Sequence, residues 1–241
     1  VSRSARRAAA ALLLVAIAAL ALHGLRLLAR SRTVQVFGRL VHRVDTEQRV
    51  VALTFDDGPS AGAVDGILRP LAERGVKATF FVVGEQVQRA PDALRKIVAA
   101  GHQVGNHSWS HRVMVAKSPS FVRRELDDTD RVIREAGFAG PIRFRPPNGY
   151  KLVVLPWVLQ RTGRTSVTWD VEPDSWRGVR EDPARIAEHV ADNAKPGSIV
   201  LLHPWYRAPS REAIPAVVDA LHARGFRLVT VDELLALRET L

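Results

Sequence analysis

The sequence predicts an α/β fold: a deformed or incomplete barrel of about seven parallel strands with helices outside, preceded by one apolar helix. Three observations carry this. From residue 50 onward, short apolar runs alternate with helical patterns, which implies parallel strands wrapped by helices. Each run is short and bounded by turn residues, as expected of strands buried on both faces. Acids, imidazoles and a guanidinium collect just after the runs, where a parallel barrel gathers its reacting groups.

The elements follow in order. Val50–Phe55 is a buried strand ending at an Asp-Gly-Pro turn, and Ala63–Arg74 a helix closed by Gly75. Ala78–Val83 is a second strand. Pro91–Ala100 is a helix with Pro at its start and Gly101 behind it. Gln103–Asn106 is a short strand, and Ser120–Ala136 a long helix before Gly137. Ile142–Arg145 and Ser166–Trp169 are further strands, the first running into Pro146-Pro147. Pro183–Ala194 is a helix, Ser198–Leu202 a strand, Ile214–Arg224 a helix, Arg227–Val231 the last strand and Asp232–Leu237 the last helix.

Three segments are expected: 1–30 an apolar anchor or signal, 31–49 a linker, and 50–241 the catalytic domain. Arg3, Arg6 and Arg7 precede an apolar run from Ala8 to Leu22, which extends to Leu28 with His23 and Arg26 near its end. Positive residues before such a run mark an uncleaved anchor, a cleaved signal or a buried helix. Ala19-Leu20-Ala21 offers a small-residue cleavage site, and the longer count is enough to span a bilayer. In the first two cases the domain lies outside the cytoplasm, anchored or secreted.

Net charge is +10, and residues 1–49 hold nine Arg against Asp45 and Glu47, which leaves only +3 for the rest. The basicity thus belongs to the N-terminal segment, and no nucleic-acid partner is expected. Cysteine is absent, which excludes thiol nucleophiles, disulfides and Cys-held metals. Any metal must be held by His, Asp or Glu.

Five strand ends deliver chemistry to one rim: Asp56-Asp57, His107 with His111, Arg145, Asp170 and His203. The i, i+4 spacing of His107 and His111 would set two imidazoles on one face of a helical turn, where one ion takes both. A carboxylate from Asp56 or Asp57 completes three ligands and leaves a position open. Asp-Gly-Pro is also an ordinary turn, but two adjacent carboxylates after a buried strand repel unless a cation or a shared proton intervenes. One acid can ligate while the other works as a base. His203 is a candidate general acid, and Arg145, held before two prolines, suits orienting a carboxylate.

These motifs, Thr54-Phe55-Asp56-Asp57-Gly58-Pro59, His107-Ser108-Trp109-Ser110-His111, Arg145-Pro146-Pro147 and Leu201-Leu202-His203, resemble in order those of the polysaccharide deacetylase family, the NodB-homology carbohydrate esterases (family 4). The resemblance covers about residues 45–235. It implies a NodB-like deformed barrel and hydrolysis of N-acetyl groups on amino sugars of a polymer or glycan, with acetate released. It implies Asp56 as base, Asp57, His107 and His111 on one divalent metal, His203 as general acid and Arg145 steadying the base. Zn²⁺ leads Co²⁺ and Ni²⁺ as the ion.

Two departures stand out. Ser175 occupies the position where relatives carry an Asp before a Trp, here Trp176, so Asp174 or Asp170 is left to tune His203. Asn148 replaces an aromatic residue whose backbone N–H serves the oxyanion in the family. The altered motif motivates the alternative of a weak or inactive carbohydrate-binding protein on the same fold. Trp176 and Trp205 are expected at the substrate rim, with Trp109, Trp157 and Tyr150 as further stacking candidates; Trp169, inside a strand, reads as core.

Overall fold

The structure is a computed structural model and describes residues 2–237; the expected domain's last four residues lie outside them. Helix α1 (Arg3–Arg30) leads into β1 (Arg39–Val41) and β2 (Val50–Gly58). There follow α2 (Val64–Glu73), β3 (Thr79–Val82), α3 (Gly84–Arg89), α4 (Pro91–Ala99), β4 (Gln103–Asn106), α5 (Pro119–Glu135) and α6 (Val154–Arg161). The chain closes with β5 (Thr165–Val167), α7 (Pro183–Asn193), β6 (Ser198–Leu202), α8 (Ala208–Glu212), α9 (Ile214–Ala223), β7 (Arg227–Val229) and α10 (Val231–Ala236).

All named strand pairs are parallel. β2 is central: β6 lies along one edge, while β7 and then β3 share the other. β4 pairs with β3, and β1 with β5. Between these groups the ladder is reduced to single bridges, Asn106 to Phe144, Phe144 to Ser166 and Val171 to Val200. This is the irregular, incomplete barrel the sequence implies.

The expected strand at Ile142–Arg145 is only that bridge at Phe144. Pro146 and Pro147 carry no N–H to extend a ladder. Residues 31–49 are not a free linker. They contribute β1, bury Val41 and Val44, and donate the Val44 N–H to the Gly197 carbonyl at 2.9 Å.

Strand residues alternate between two cores. Val51, Leu53 and Phe55 of β2 pack under the helices with Ile67, Leu71 and Ile97. Val50 and Ala52 face inward with Phe81, Ile199, Leu201 and the α10 residues Leu234 and Leu235, which plug the barrel floor. Thr54 and Asp56 continue that inward series toward the mouth. Helix ends follow local chemistry. Ser118 caps α5 by accepting from the Phe121 N–H at 3.2 Å, Asp182 caps α7, and Thr230 with Glu233 forms a reciprocal capping box on α10.

α1 exposes Leu12, Leu13, Leu14, Val15, Ile17, Leu20 and Leu22. Its segment Ala10–Arg30, with mean hydropathy 2.2, is long and apolar enough to cross a membrane.

Candidate metal centre and catalytic cleft

Adjacent residues of a strand normally point to opposite faces, yet Asp56 and Asp57 both reach the cleft. The register explains this. Pairing with β3 jumps from Asp56–Phe81 to Gly58–Val82, so Asp57 is the extra residue of a bulge, with φ 75°. A bulge re-aims its side chains, and short polar Asp tolerates the left-handed region. Gly58 is required next, because a Cβ there would meet Trp205 Cε2 at 2.0 Å.

His107 and His111 do not sit on a helical turn. They flank a loop after β4 in which Ser108 (φ 69°) and His111 (φ 56°) are left-handed. Side chains from neighbouring elements hold this loop. Asn106 Oδ1 accepts the Ser108 N–H at 2.8 Å, and Asn106 Nδ2 donates to Leu126 O and Asp130 Oδ1 of α5. The α5 residue Glu125 accepts from the Ser110 N–H at 2.8 Å and its hydroxyl at 2.7 Å.

His107 donates its Nδ1–H to the Arg145 carbonyl at 2.8 Å. That leaves Nε2 facing Asp57 Oδ1 at 3.3 Å, while His111 Nε2 lies 3.0 Å from the same oxygen. One ligand atom from each of the three residues lies within 4.8 Å of the others. Ligands about 2.0–2.1 Å from a shared tetrahedral ion sit roughly 3.3 Å apart, so the set fits one divalent cation. Asp57 Oδ1 is buried and accepts no hydrogen bond, which is costly unless a cation takes it. Burial pushes the Asp57 carboxyl up, but His107 and His111 more than reverse this and hold it well below the usual carboxylate range.

Asp56 lies beside this set. Its Oδ2 is 3.6 Å from His107 Nε2, and its Oδ1 accepts from Arg145 Nη1 at 2.7 Å. Arg145 is 0 % exposed and Asp56 2 %. The guanidinium also donates to Thr54 Oγ1 and to the carbonyls of Val167 and Thr168, and it stacks 4.0 Å over the Phe81 ring. Arg145 is thereby fixed in one geometry, and Asp56 with it.

On the opposite wall His203 donates its Nδ1–H to Asp174 Oδ2 at 2.9 Å. The same oxygen accepts the His203 backbone N–H at 2.8 Å. His203 Nε2 is 3.8 Å from Asp57 Oδ2. Burial alone would lower the His203 pKa, but Asp174, Asp56 and Asp57 outweigh it and raise it. If His203 works as the acid, Asp174→Asn lowers that pKa. The group then loses its proton at lower pH, and the alkaline limb of kcat/KM moves acidward, as a pH–rate profile would record.

Asp170 is elsewhere. It accepts from Ser198 Oγ at 2.7 Å and from the Ile199 N–H at 2.8 Å, which ties it to β6 rather than to His203. Trp205 is also misplaced by sequence reasoning. Pro204 turns the chain so that the indole packs inward near Phe80, 7 % exposed. Trp176 is 60 % exposed and contacts His189 without lining the cleft. Trp169 lines it while mostly buried; Asn148 (φ 54°) and Ser175, both exposed, and the half-buried Tyr150 line it too. Trp109 and Trp157 pack partly against core clusters.

Tyr206 was not foreseen. Its phenol donates to Asp57 Oδ2, and burial and Asp57 push its pKa well above the usual phenol range. The sequence signal was its place three residues past His203, on the same loop. The cleft holds about 640 Å³.

The family described as "Polysaccharide deacetylase" matches residues 43–167. This chain belongs to the polysaccharide deacetylase family. It is 34 % identical over 191 residues to peptidoglycan-N-acetylmuramic acid deacetylase PdaC of Bacillus subtilis, covering 79 % of this chain and 40 % of PdaC. The chain therefore spans well under half of that relative's length. A peptidoglycan-N-acetylglucosamine deacetylase of Bacillus cereus is 33 % identical over 201 residues, covering 82 % of this chain and 93 % of the relative. A solved structure of a CE4 family pseudoenzyme from Bacillus anthracis superposes with a TM-score of 0.74 at 29 % identity, covering 81 % of this chain and 68 % of that one. Within the family, this chain carries its acids and imidazoles on one cleft while replacing the expected Asp with Ser175.

Proposed function

We propose that the chain hydrolyses the N-acetyl group of amino-sugar residues in a glycan, with peptidoglycan the first candidate polymer, and that it does so beside a membrane through α1. The single supporting observation is the bulge at Asp57. It brings one carboxylate to the two imidazoles and leaves its neighbour uncoordinated on Arg145, across a cleft from an Asp-backed histidine.

Asp57, His107 and His111 would hold a divalent metal. Two imidazoles and a carboxylate with an open position are a ligand set common to catalytic Zn²⁺, the first candidate, with Co²⁺ and Ni²⁺ admitted by the same ligand types. When bound, the ion supplies Lewis-acid polarisation of the amide carbonyl and acidifies water. Asp56 takes the proton of the attacking water as the new C–O bond forms, and Arg145 keeps its carboxylate aimed. The Asn148 N–H, offered from left-handed backbone, supports the oxyanion. His203 Nε2 delivers a proton to the amine nitrogen as the C–N bond breaks, and Asp174 fixes the tautomer. Acetate and a free amino sugar leave.

A non-catalytic reading is favoured only by Ser175 and by the pseudoenzyme neighbour. Asp174 already occupies the place behind His203, which argues against it. The full chain in detergent is expected to release acetate from N-acetylglucosamine oligomers or peptidoglycan fragments, to stop after chelation and to recover with Zn²⁺. Metal-loaded protein that releases no acetate from any of these would overturn the activity.

A further inference from the structure

The apolar helix does not end on a loose tether. Its last turn is built into the wall of the cleft. Ala29 is buried, and its carbonyl accepts the Lys151 N–H at 2.8 Å. The Lys151 ammonium, on a side chain that is itself buried, donates to the Ser31 carbonyl. Thr168 Oγ1 donates to the Arg32 carbonyl at 2.6 Å. These bonds pin Ala29, Ser31 and Arg32, on both sides of Arg30, to Lys151 just past the 3₁₀ turn Pro147–Gly149 and to Thr168 just after β5.

The pinned backbone directs two guanidinium groups to the cleft, which both Arg30 and Arg32 line. Arg30 lies over the Tyr150 ring at 5.4 Å, and Arg32 over Trp169 at 5.7 Å. Arg32 is 3.7 Å from Glu172, whose carboxylate also accepts the Trp169 indole N–H. Among the described residues, no acidic side chain pairs with Arg30. Across the cleft Arg180 and Arg207 share Glu181, at 2.9 and 3.9 Å. At the base Asp56 is paired with Arg145, and Asp57 faces the two imidazoles. The outer cleft therefore carries guanidinium groups on both walls.

We propose that Arg30 and Arg32 are specificity residues that bind an anionic group, a carboxylate or a phosphate, attached to the amino sugar. The inference rests on the amino-sugar reading of the cleft but not on turnover. A guanidinium already stacked on an aromatic ring has lost part of its rotamer freedom, so it surrenders less entropy on meeting an anion. The group it meets is planar or tetrahedral oxygen, which two N–H donors match. Because Arg30 ends the apolar helix and Arg32 lies two residues beyond it, the charged end of the substrate would lie on the helix side of the cleft.

Binding to the full chain in detergent, read by calorimetry, tests this with three ligands of equal sugar length. One is a neutral N-acetylglucosamine oligomer, one carries N-acetylmuramic acid, and one ends in a 1-phosphate. At least one charged ligand is expected to bind about tenfold or more tightly than the neutral one, as for hydrogen bonds to charged groups. Preference for the carboxylate or for the phosphate identifies the source of the anion.

In Arg30→Gln/Arg32→Gln the charged-to-neutral ratio is expected to fall toward one, and Arg30→Lys/Arg32→Lys to keep part of it. Raising salt should erode the wild-type preference independently of any variant's folding. Equal affinity of the wild type for all three ligands overturns the proposal, as does a preference that survives the double Gln change. Preference without acetate release would instead sink the deacetylase reading and leave this one standing.

Discussion

Asp56→Asn lowers kcat on an N-acetylated oligomer by about 10²–10⁴-fold, the usual loss when a proton-transfer group is removed. The amide keeps the shape of the carboxyl and can still accept from Arg145 Nη1, now at 2.7 Å. It cannot take a proton from water. Metal content is expected to survive, because the ligand set is Asp57, His107 and His111. Steady-state rates with metal analysis check both halves. Near-normal turnover in a metal-loaded variant would remove Asp56 from the chemistry.

Arg145→Met has the largest expected effect on stability, a loss of about 3–5 kcal/mol, typical of removing one partner of a buried ion pair. Both partners are nearly inaccessible. Methionine would leave Asp56 uncompensated and strip donors from the Val167 and Thr168 carbonyls. The urea midpoint reads the loss. Arg145→Met/Asp56→Asn should be less destabilised than the sum of its single changes, because the second substitution removes the stranded charge. Additive losses would mean that the pair is not energetically coupled.

The strands at β2, β3 and β6 were legible because each is a short apolar run buried on both sides; β4, Gln103–Asn106, was legible from its place between the helix closed at Gly101 and the first imidazole. The helices α4 and α7 were legible from Pro at their starts, and α4 and α5 from the Gly just beyond their ends. β1 was not, since three residues after Gly38 carry too little pattern to separate from a linker. α3, α6 and α8 are short, and tertiary packing rather than periodicity settles them. In the site, residue types and order pointed to the right positions, but direction did not follow from sequence. Proximity of Asp56 to Asp57 suggested a shared role, whereas the bulge that makes it possible shows only in the register with β3. Asp174 and Asp170 were equivalent acids on paper; the 3₁₀ turn at Pro173–Ser175 carries the first to His203, and β6 keeps the second. Trp205 failed because alternation along a strand says nothing of a chain that turns at a proline.

Glu125 and Asn106 give the imidazole loop its shape without belonging to the candidate ligand set. A helix packed seventeen residues long behind that loop thus acts as a splint for ligands it never touches. Changes that loosen α5, such as a cavity opened at Leu126 or Ile133, would therefore be felt first as a weaker grip on the cation, ahead of any visible loss of fold.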